Sequence, residues 1–299
     1  MLSVTADEIG QALRGRKSGT GWVAHCPAHN DHRPSLSIRE ADDGKILVHC
    51  HAGCEQERVI AALRSRGLWP GKGTQPPKHS AAPQTATSRS ARDDTRRTSA
   101  ALAIWEDTFP AEGTPVEAYL TSRCLSLSIP ESIRFHKSLK HPSGRAWPAM
   151  VALVSRGADD EPIGIHRTYL ERCGEGKAPI DPQRMMLGPC RGGAVKLAPS
   201  EKVLMVGEGI ETCLAAMQAR GLPAWAALST SGIRSLELPS VVEEVIVLAD
   251  GDNAGEEAAM HAAQRWRDEG LRVRIARPPR GYDFNDVLMG RVSHLGEAA

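Results

Sequence analysis

The stretch over residues 241–255, VVEEVIVLADGDNAG, constrains the fold more than any other part of the sequence. It contains a continuous apolar run, 245–249, of the length expected for a strand that is covered on both faces of a sheet. Asp250 and Asp252 follow this run directly. Because open α/β sheets bind ligands beyond the carboxyl ends of their strands, the two carboxylates predict a binding site at that edge.

Two other apolar runs end in the same way. Residues 203–206 lead to Glu208 and then to a helical pattern, and residues 273–276 are followed by an acidic cluster that contains Asp283 and Asp286. If the three runs form adjacent strands, their carboxylates meet at one point. The sequence therefore predicts an α/β unit with an acidic site at one edge of its sheet.

The acidic site has the character of a metal site. Crowded carboxylates repel one another, so such a cluster is normally stable only with a cation between its members. Magnesium fits best, because it takes hard oxygen ligands and keeps room for water and substrate phosphates. The competing interpretation is a surface turn, since Asp, Gly and Asn are common in turns. Repetition at three strand ends favours the metal site, while Glu211 and Asp286 can equally be solvated or capping residues.

Over residues 200–290 the order of these motifs resembles the Toprim domain, which bacterial-type primases, topoisomerases and some nucleases share. The resemblance implies that Glu208, Asp250 and Asp252 are catalytic and hold two magnesium or manganese ions, with Asp283 and Asp286 as further candidate ligands. Many members of the family carry an acid four residues after the first Glu. This chain has Thr212 there and Glu211 one place earlier, so the role of Glu211 stays open.

Two closely spaced pairs of candidate metal ligands lie in the amino-terminal part of the chain. Cys26 and His29 form the first pair, and Cys50 and Cys54 form the second. Thiolates and an imidazole in a closed set of four suit a structural zinc ion. The pairing disfavours the alternative of unrelated free cysteines.

Residues 19–68 resemble the CHC2 zinc ribbon of bacterial and phage primases, including Pro27 after the first Cys. The resemblance implies one structural zinc ion and contact with a single-stranded template. The usual Cys-x-x-Cys of the second pair is stretched by one residue here, which leaves His49 or His51 as a replacement ligand. The preferred ligands are Cys26, His29, Cys50 and Cys54.

The segment 71–99 is predicted to be a flexible linker. It is rich in Pro, Ser, Thr, Gln and Arg and has almost no large apolar side chain. Such a composition cannot offset the entropy lost on ordering.

Cysteine usage and hydropathy predict a cytoplasmic protein without membrane contact. The odd total of seven cysteines agrees with a reducing cytoplasm. No apolar run approaches the roughly 20 residues needed to span a membrane. The four cysteines outside the two ligand pairs are expected to be buried small apolar residues; they are Cys124, Cys173, Cys190 and Cys213.

The net charge of +1 hides two segments of opposite charge. Lys and Arg outnumber Asp and Glu by eleven to six over residues 134–196, whereas acids outnumber bases by twelve to five over residues 201–270. Phosphodiester chemistry uses this division, because cations hold the template and the triphosphate while carboxylates hold metal ions. The candidates for template or nucleotide contacts are Arg167, Lys177, Arg184 and Lys196.

The order of zinc ribbon, basic segment and Toprim pattern resembles a bacterial-type primase, nearest to the compact primases of phages and mobile elements. The expected fold is a multidomain combination of α/β and α+β parts. Its predicted regions are a zinc-binding domain (1–70), the linker (71–99), a basic amino-terminal lobe of the primase core (100–199) and the Toprim domain (200–299). The resemblance implies a DNA-directed RNA polymerase that makes short RNA primers on single-stranded DNA from nucleoside triphosphates, with a replicative helicase as a partner in trans in a primosome.

Two other functions stay open. A Toprim-type nuclease would use the same metal ions to activate water. A catalytically weak DNA-binding accessory protein of replication is compatible with Thr212, although the intact Glu208, Asp250 and Asp252 argue against it. The sequence contains no P-loop motif, so we expect no ATP-driven helicase activity.

Overall fold

The computed structural model describes residues 4–18, 21–31, 33–40, 45–69 and 84–291. The chain divides into two compact units, Met1–Ala81 and Ala82–Ala299. Residues 71–83 of the predicted linker lie outside the described residues.

The first unit is a small antiparallel sheet. One helix precedes its four strands in the sequence, and another follows them. Its described elements are α1 (Ala6–Ala12), β1 (Arg16–Ser18), β2 (Gly21–Ala24), β3 (Leu36–Glu40), β4 (Ile46–Cys50) and α2 (Gln56–Ser65), with the strands in the order β1-β2-β3-β4. Ile9 of α1 and Val59 and Leu63 of α2 pack with buried residues of the sheet such as Leu36 and Ile38. A core this small is typical of domains that need a further staple such as a metal site.

The second unit is larger and mixes helices with strands. Its helices are α3 (Gln84–Glu106), α4 (Pro115–Ser122), α5 (Ile210–Arg220), α6 (Thr230–Ser235), α7 (Asn253–Asp268) and α8 (Phe284–Leu288). Its strands are β5 (Phe109–Pro110), β6 (Ile133–Lys140), β7 (Ala146–Arg156), β8 (Pro162–Tyr169), β9 (Arg184–Leu187), β10 (Gly193–Lys196), β11 (Val203–Gly207), β12 (Ala224–Ala226), β13 (Glu244–Leu248) and β14 (Arg272–Ala276). Among the helices described here, none is long and apolar enough to cross a membrane.

Within residues 84–291, ten strands form one mixed sheet. Its main path is β14-β13-β11-β12-β10-β7-β6-β5, with β8 pairing with β7 and β9 pairing with β8. Strand β10 is antiparallel to both β12 and β7 and so joins the two halves of the sheet. The basic and acidic segments of the sequence therefore share a single mixed α/β fold.

The three apolar runs that end in acids form neighbouring parallel strands, as the sequence predicts. Strand β13 lies between β11 and β14, and Leu248 aligns with Gly207 on one side and with Ala276 on the other. Both faces of β11 are covered. Met205 packs in one hydrophobic cluster, and Leu204 packs in another that contains Trp266 of α7. All three carboxyl ends consequently point to the same edge of the sheet.

The predicted linker is wrong from Gln84 onwards, where helix α3 begins. The composition of residues 71–99 gives no information on contacts with segments that are distant in the sequence. The side chains of Arg97 and Thr98 donate hydrogen bonds of 3.1 and 3.2 Å to backbone carbonyls of the sheet region. Helix α3 is thus held by the second unit, which supplies the partners that local composition lacks.

The predicted burial of the four remaining cysteines holds only for Cys213, which is buried in the core. Cys190 is half-buried, and Cys124 and Cys173 are exposed. Cys124 has a φ of 59°, in the turn that follows helix α4, where the chain runs at the surface. All seven cysteines are free thiols.

Candidate functional site

The predicted acidic residues lie where the parallel strands end. Glu208 directly follows β11, and Asp250 follows β13 by two residues. Asp252 is the N-cap of α7, and its Oδ1 accepts a hydrogen bond of 2.7 Å from the Gly255 N–H. The ends of two strands thus position Glu208 and Asp250, and the start of a helix positions Asp252.

The carboxylates are close enough to shift one another's pKa. Burial, together with the charges of Asp250 and Asp252, raises the pKa of Glu208 to about 7. Burial, together with Asp283 and Asp252, raises the pKa of Asp250 to about 6. The Oδ1 atom of Asp250 is buried and has no hydrogen-bond partner within the described part of the chain. Hard oxygen atoms that repel one another and lack donors fit a divalent cation such as magnesium.

Asp283 and Asp286 differ in their surroundings. They form a capping box at the start of α8, in which Asp283 accepts from the Asp286 N–H at 2.7 Å. Asp286 also pairs with Arg291 at 3.1 Å. The charge of Asp283 raises the pKa of Asp250, so Asp283 belongs to the acidic group. Asp286 is engaged by its cap and by Arg291, which favours the capping role that the sequence left open.

A pocket of about 190 Å³ opens beside Glu208, and we call it the Arg184 pocket. Its lining residues are His166, Arg184, Met185, Met186, Glu208, Gly209, Ile210, Glu211 and Leu228. Arg184 is exposed at the start of β9, and its charge lowers the pKa of both Glu208 and Asp250 against the larger effect of burial. An arginine that faces several carboxylates is suited to bind a phosphate group next to metal ions.

Of the other basic candidates, Lys177 contacts a residue that lines this pocket, Glu211, whereas Lys196 has its partners elsewhere. The Lys177 ammonium lies 3.1 Å from Oε1 of Glu211. The Lys196 ammonium donates to the Gly157 carbonyl at 3.1 Å, pairs with Asp160, and lies over the Trp225 ring, 4.3 Å from its centroid. The prediction for Lys196 is therefore not supported, because membership of a basic segment does not determine which partners a strand residue faces.

Arg167, the remaining basic candidate, is bound to the protein's own backbone. It is buried on β8, and its Nη2 donates to the Met186 carbonyl of β9 at 3.2 Å. Its neighbour His166 is also buried, and burial is the main reason that its pKa falls to about 4, with Arg184, Lys177 and Arg167 contributing. His166 is therefore a neutral wall of the Arg184 pocket.

The predicted zinc ligands come together in the first unit. One ligand atom from each of Cys26, His29, Cys50 and Cys54 lies within 4.8 Å of all the others. Nδ1 of His29 is 3.2 Å from Sγ of Cys54. Burial alone would raise the pKa of Cys50, but backbone N–H donors of Cys54 and Ala52 and the Ser35 hydroxyl lower it overall. Thiols and an imidazole at this spacing fit a structural zinc ion.

His49 and His51, the alternative ligands, flank Cys50 and are exposed. Their rings contact each other edge to face, with centroids 4.8 Å apart. Successive side chains of a strand point to opposite faces, so a buried Cys50 directs both neighbours away from the thiols. The geometry favours His29 over either of them as the imidazole ligand.

Asp31 is a residue that sequence reasoning missed. Its Oδ2 accepts hydrogen bonds of 2.6 Å from the Cys26 N–H and from the Ser35 hydroxyl, and its Oδ1 lies 3.6 Å from Nε2 of His29. A carboxylate behind a metal-binding histidine orients the ring and raises its basicity. The signal available in the sequence was an acid two residues after His29.

Two family models match the second unit. Residues 203–293 match the Toprim domain, and residues 95–197 match a domain of unknown function, DUF7146. The chain therefore carries a Toprim domain, which contains the predicted acids and the parallel strands that position them.

The chain is similar to a DNA primase of Halalkalibacterium halodurans, with 22% identity over 94% of this chain. It spans 55% of that protein, about half its length. Among solved structures, the zinc-binding and RNA polymerase domains of the Aquifex aeolicus primase are 15% identical, with a TM-score of 0.43, covering 97% of this chain and 83% of that one. The primase fragment of the bacteriophage T7 primase-helicase protein is 17% identical, with a TM-score of 0.41, covering 90% and 95%.

Proposed function

We propose that this protein is a DNA primase that makes short RNA primers on single-stranded DNA from nucleoside triphosphates. The observation that carries the proposal is the group of Glu208 and Asp250, two carboxylates with raised pKa values that lie next to Arg184 in a Toprim domain. The similarity to a primase along 94% of the chain supports it.

In this proposal Glu208, Asp250 and Asp252, together with Asp283, hold two magnesium or manganese ions. The bound ions would lower the pKa of the attacking 3′-hydroxyl and stabilise the leaving pyrophosphate. The hydroxyl oxygen would lose its proton to solvent water and form a bond with the α-phosphorus, while the bond from that phosphorus to pyrophosphate breaks and pyrophosphate leaves. The side chains mainly bind and orient, because phosphoryl transfer asks little covalent chemistry of a protein. Arg184 binds a phosphate group beside the acids.

The first unit would bind one zinc ion through Cys26, His29, Cys50 and Cys54 and would contact the single-stranded template. A replicative helicase in trans is the proposed partner. The proposed location is the cytoplasm, which agrees with cysteines that form no disulfide in the structure.

The proposal is tested with purified protein, single-stranded DNA, labelled nucleoside triphosphates and magnesium, analysed on a denaturing gel. We expect short RNA products that appear without an added primer and vanish in EDTA and in Asp250→Asn. Cleavage of the template in place of synthesis would identify a nuclease. DNA binding with neither synthesis nor cleavage would identify an accessory protein.

A further inference from the structure

A second carboxylate, the buried Glu211, lines the Arg184 pocket beside Glu208. Glu211, in the first turn of α5, is 6% exposed and lines the pocket together with Glu208. Its Oε1 accepts a hydrogen bond of 2.6 Å from the Tyr119 hydroxyl, and the same atom lies 3.1 Å from the Lys177 ammonium. Lys177 also lies over the Tyr119 ring, 5.9 Å from its centroid.

These three residues come from separate parts of the second unit. Tyr119 lies on α4, Lys177 lies between β8 and β9, and Glu211 lies in the first turn of α5. Charges are costly to bury unless they are paired and hydrogen-bonded, so the ion pair and the hydroxyl fix one another in place. The group holds the Lys177 side chain in one position.

Glu211 differs from the predicted metal ligand Asp250 in its hydrogen-bond and ion-pair partners. Burial would raise its pKa, but the Lys177 ammonium and the Tyr119 hydroxyl outweigh burial and lower the pKa to about 2. The Oδ1 atom of Asp250, by contrast, is buried and has no hydrogen-bond partner in the described part of the chain. Glu211 is thus already paired with a protein cation.

Lys177 is partly exposed and pairs with Glu211, a residue that lines the Arg184 pocket. Its side chain is 21% exposed, against 8% for that of Glu211. It helps to lower the pKa of His166, a wall of the Arg184 pocket, as Arg184 does. An ammonium has three donors, so one can remain with Glu211 while others bind a phosphate.

We propose that Glu211 is a positioning residue, which fixes the Lys177 ammonium at the rim of the Arg184 pocket to bind a phosphate group of the nucleotide, and that it is not a magnesium ligand. This proposal rests on the proposed nucleotidyl transfer. It gives Glu211 a role that does not require it to replace the acid missing at Thr212.

The test is a double-mutant cycle with Glu211→Gln, Lys177→Gln and the double variant. The readouts are ATP binding with magnesium, KM and kcat of primer synthesis, and the magnesium concentration that gives half-maximal activity. Each single variant should weaken ATP binding and raise KM by about tenfold, with kcat changed less than about twofold. The double variant should be no more than about twofold worse than Lys177→Gln, because residues that act through one another are not additive.

The matched control is Glu243→Gln, which removes an exposed carboxylate paired with Lys202 at 2.8 Å. It should leave every readout unchanged. Tyr119→Phe removes only the hydroxyl donor and serves if Glu211→Gln does not fold; ATP binding should then weaken by about threefold. The half-maximal magnesium concentration should stay within about twofold of wild type in all these variants.

Additive losses with a higher magnesium requirement in Glu211→Gln would identify Glu211 as a metal ligand and overturn the proposal. A lower melting temperature with unchanged ATP binding would reduce Glu211 to a structural role and overturn it as well. Wild-type protein that binds ATP but makes no primer would defeat the proposed function alone, because the cycle still reports through ATP binding. Wild-type protein that binds no ATP would defeat both.

Discussion

Asp31 holds its Oδ1 atom 3.6 Å from Nε2 of His29, while the other ring nitrogen, Nδ1, lies 3.2 Å from Sγ of Cys54. The carboxylate thus lies behind the imidazole on the side opposite the thiols. It also accepts from the Cys26 N–H, so one side chain braces two of the four candidate zinc ligands.

The first prediction concerns this brace. Asp31→Asn should weaken zinc binding by about 10- to 100-fold, because the partner that orients a metal-binding histidine is lost. Competition with a chromogenic chelator measures the change. Glu57→Gln, an exposed change on α2, is the control and should keep wild-type affinity. Wild-type affinity in Asp31→Asn would show that Asp31 only shapes the turn.

In the same assay, Cys50→Ser should release zinc and unfold only the first unit, since metal binding and folding of such sites are coupled.

The second prediction concerns stability without metal. Unfolded Asp and Glu titrate close to pH 4, whereas Asp250 titrates at about 6 and Glu208 at about 7 in the folded protein. The folded state then holds more protons across this window, so metal-free stability falls as pH rises through it. Asp250→Asn should therefore raise the free energy of unfolding in EDTA at pH 8, by on the order of 2 kcal/mol, and abolish stabilisation by magnesium.

Denaturant unfolding at pH 5 and pH 8, with and without magnesium, checks this prediction. Glu257→Gln, an exposed change on α7, should behave as wild type. If Asp250→Asn were less stable than wild type in EDTA at pH 8, Asp250 would be a structural turn residue. Primer synthesis close to the wild-type rate would contradict its metal role.

The third prediction separates two cations that the sequence grouped together. Arg184 lies beside the acids, whereas Lys196 is engaged by Asp160 and Trp225. Arg184→Ala should weaken single-stranded DNA or nucleotide binding and flatten the plot of log affinity against log salt by about 0.7, the share of one phosphate contact. Lys196→Gln should leave both affinity and slope unchanged. Equal effects of the two variants in fluorescence anisotropy titrations would mean that binding is spread over the basic segment.

The strand pattern made the position of the acidic residues in the fold predictable. Apolar runs that end in Glu208 and Asp250 specify buried parallel strands, and parallel strands bring their carboxyl ends to one edge. The cysteine spacing likewise predicted the four ligand atoms that lie together. Both signals are local, because each residue is placed by the element next to it in the sequence.

Contacts between distant segments were not predictable. Tyr119 and Glu211 are 92 residues apart, and neither the helix pattern of α4 nor that of α5 indicates that a hydroxyl meets a carboxylate. Helix α3 occupies part of the predicted linker for the same reason. Its polar composition predicts no ordering by itself, and Arg97 and Thr98 find their partners 91 and 65 residues away.

The last prediction uses the boundary at Gln84. A fragment of residues 84–299 should fold, bind magnesium and extend a supplied primer, because helix α3 and its contacts belong to the second unit. It should start primers poorly, because the proposed template contact lies in the zinc-binding unit. A fragment of residues 100–299 lacks the hydrogen bonds of Arg97 and Thr98. Its free energy of unfolding should therefore be lower by about 1 kcal/mol for each bond lost, and it should unfold at a lower denaturant concentration. Equal free energies of unfolding for the two fragments would show that residues 84–99 behave as a linker. Primer initiation by 84–299 at the full rate and with unchanged start sites would show that the zinc-binding unit does not select the template.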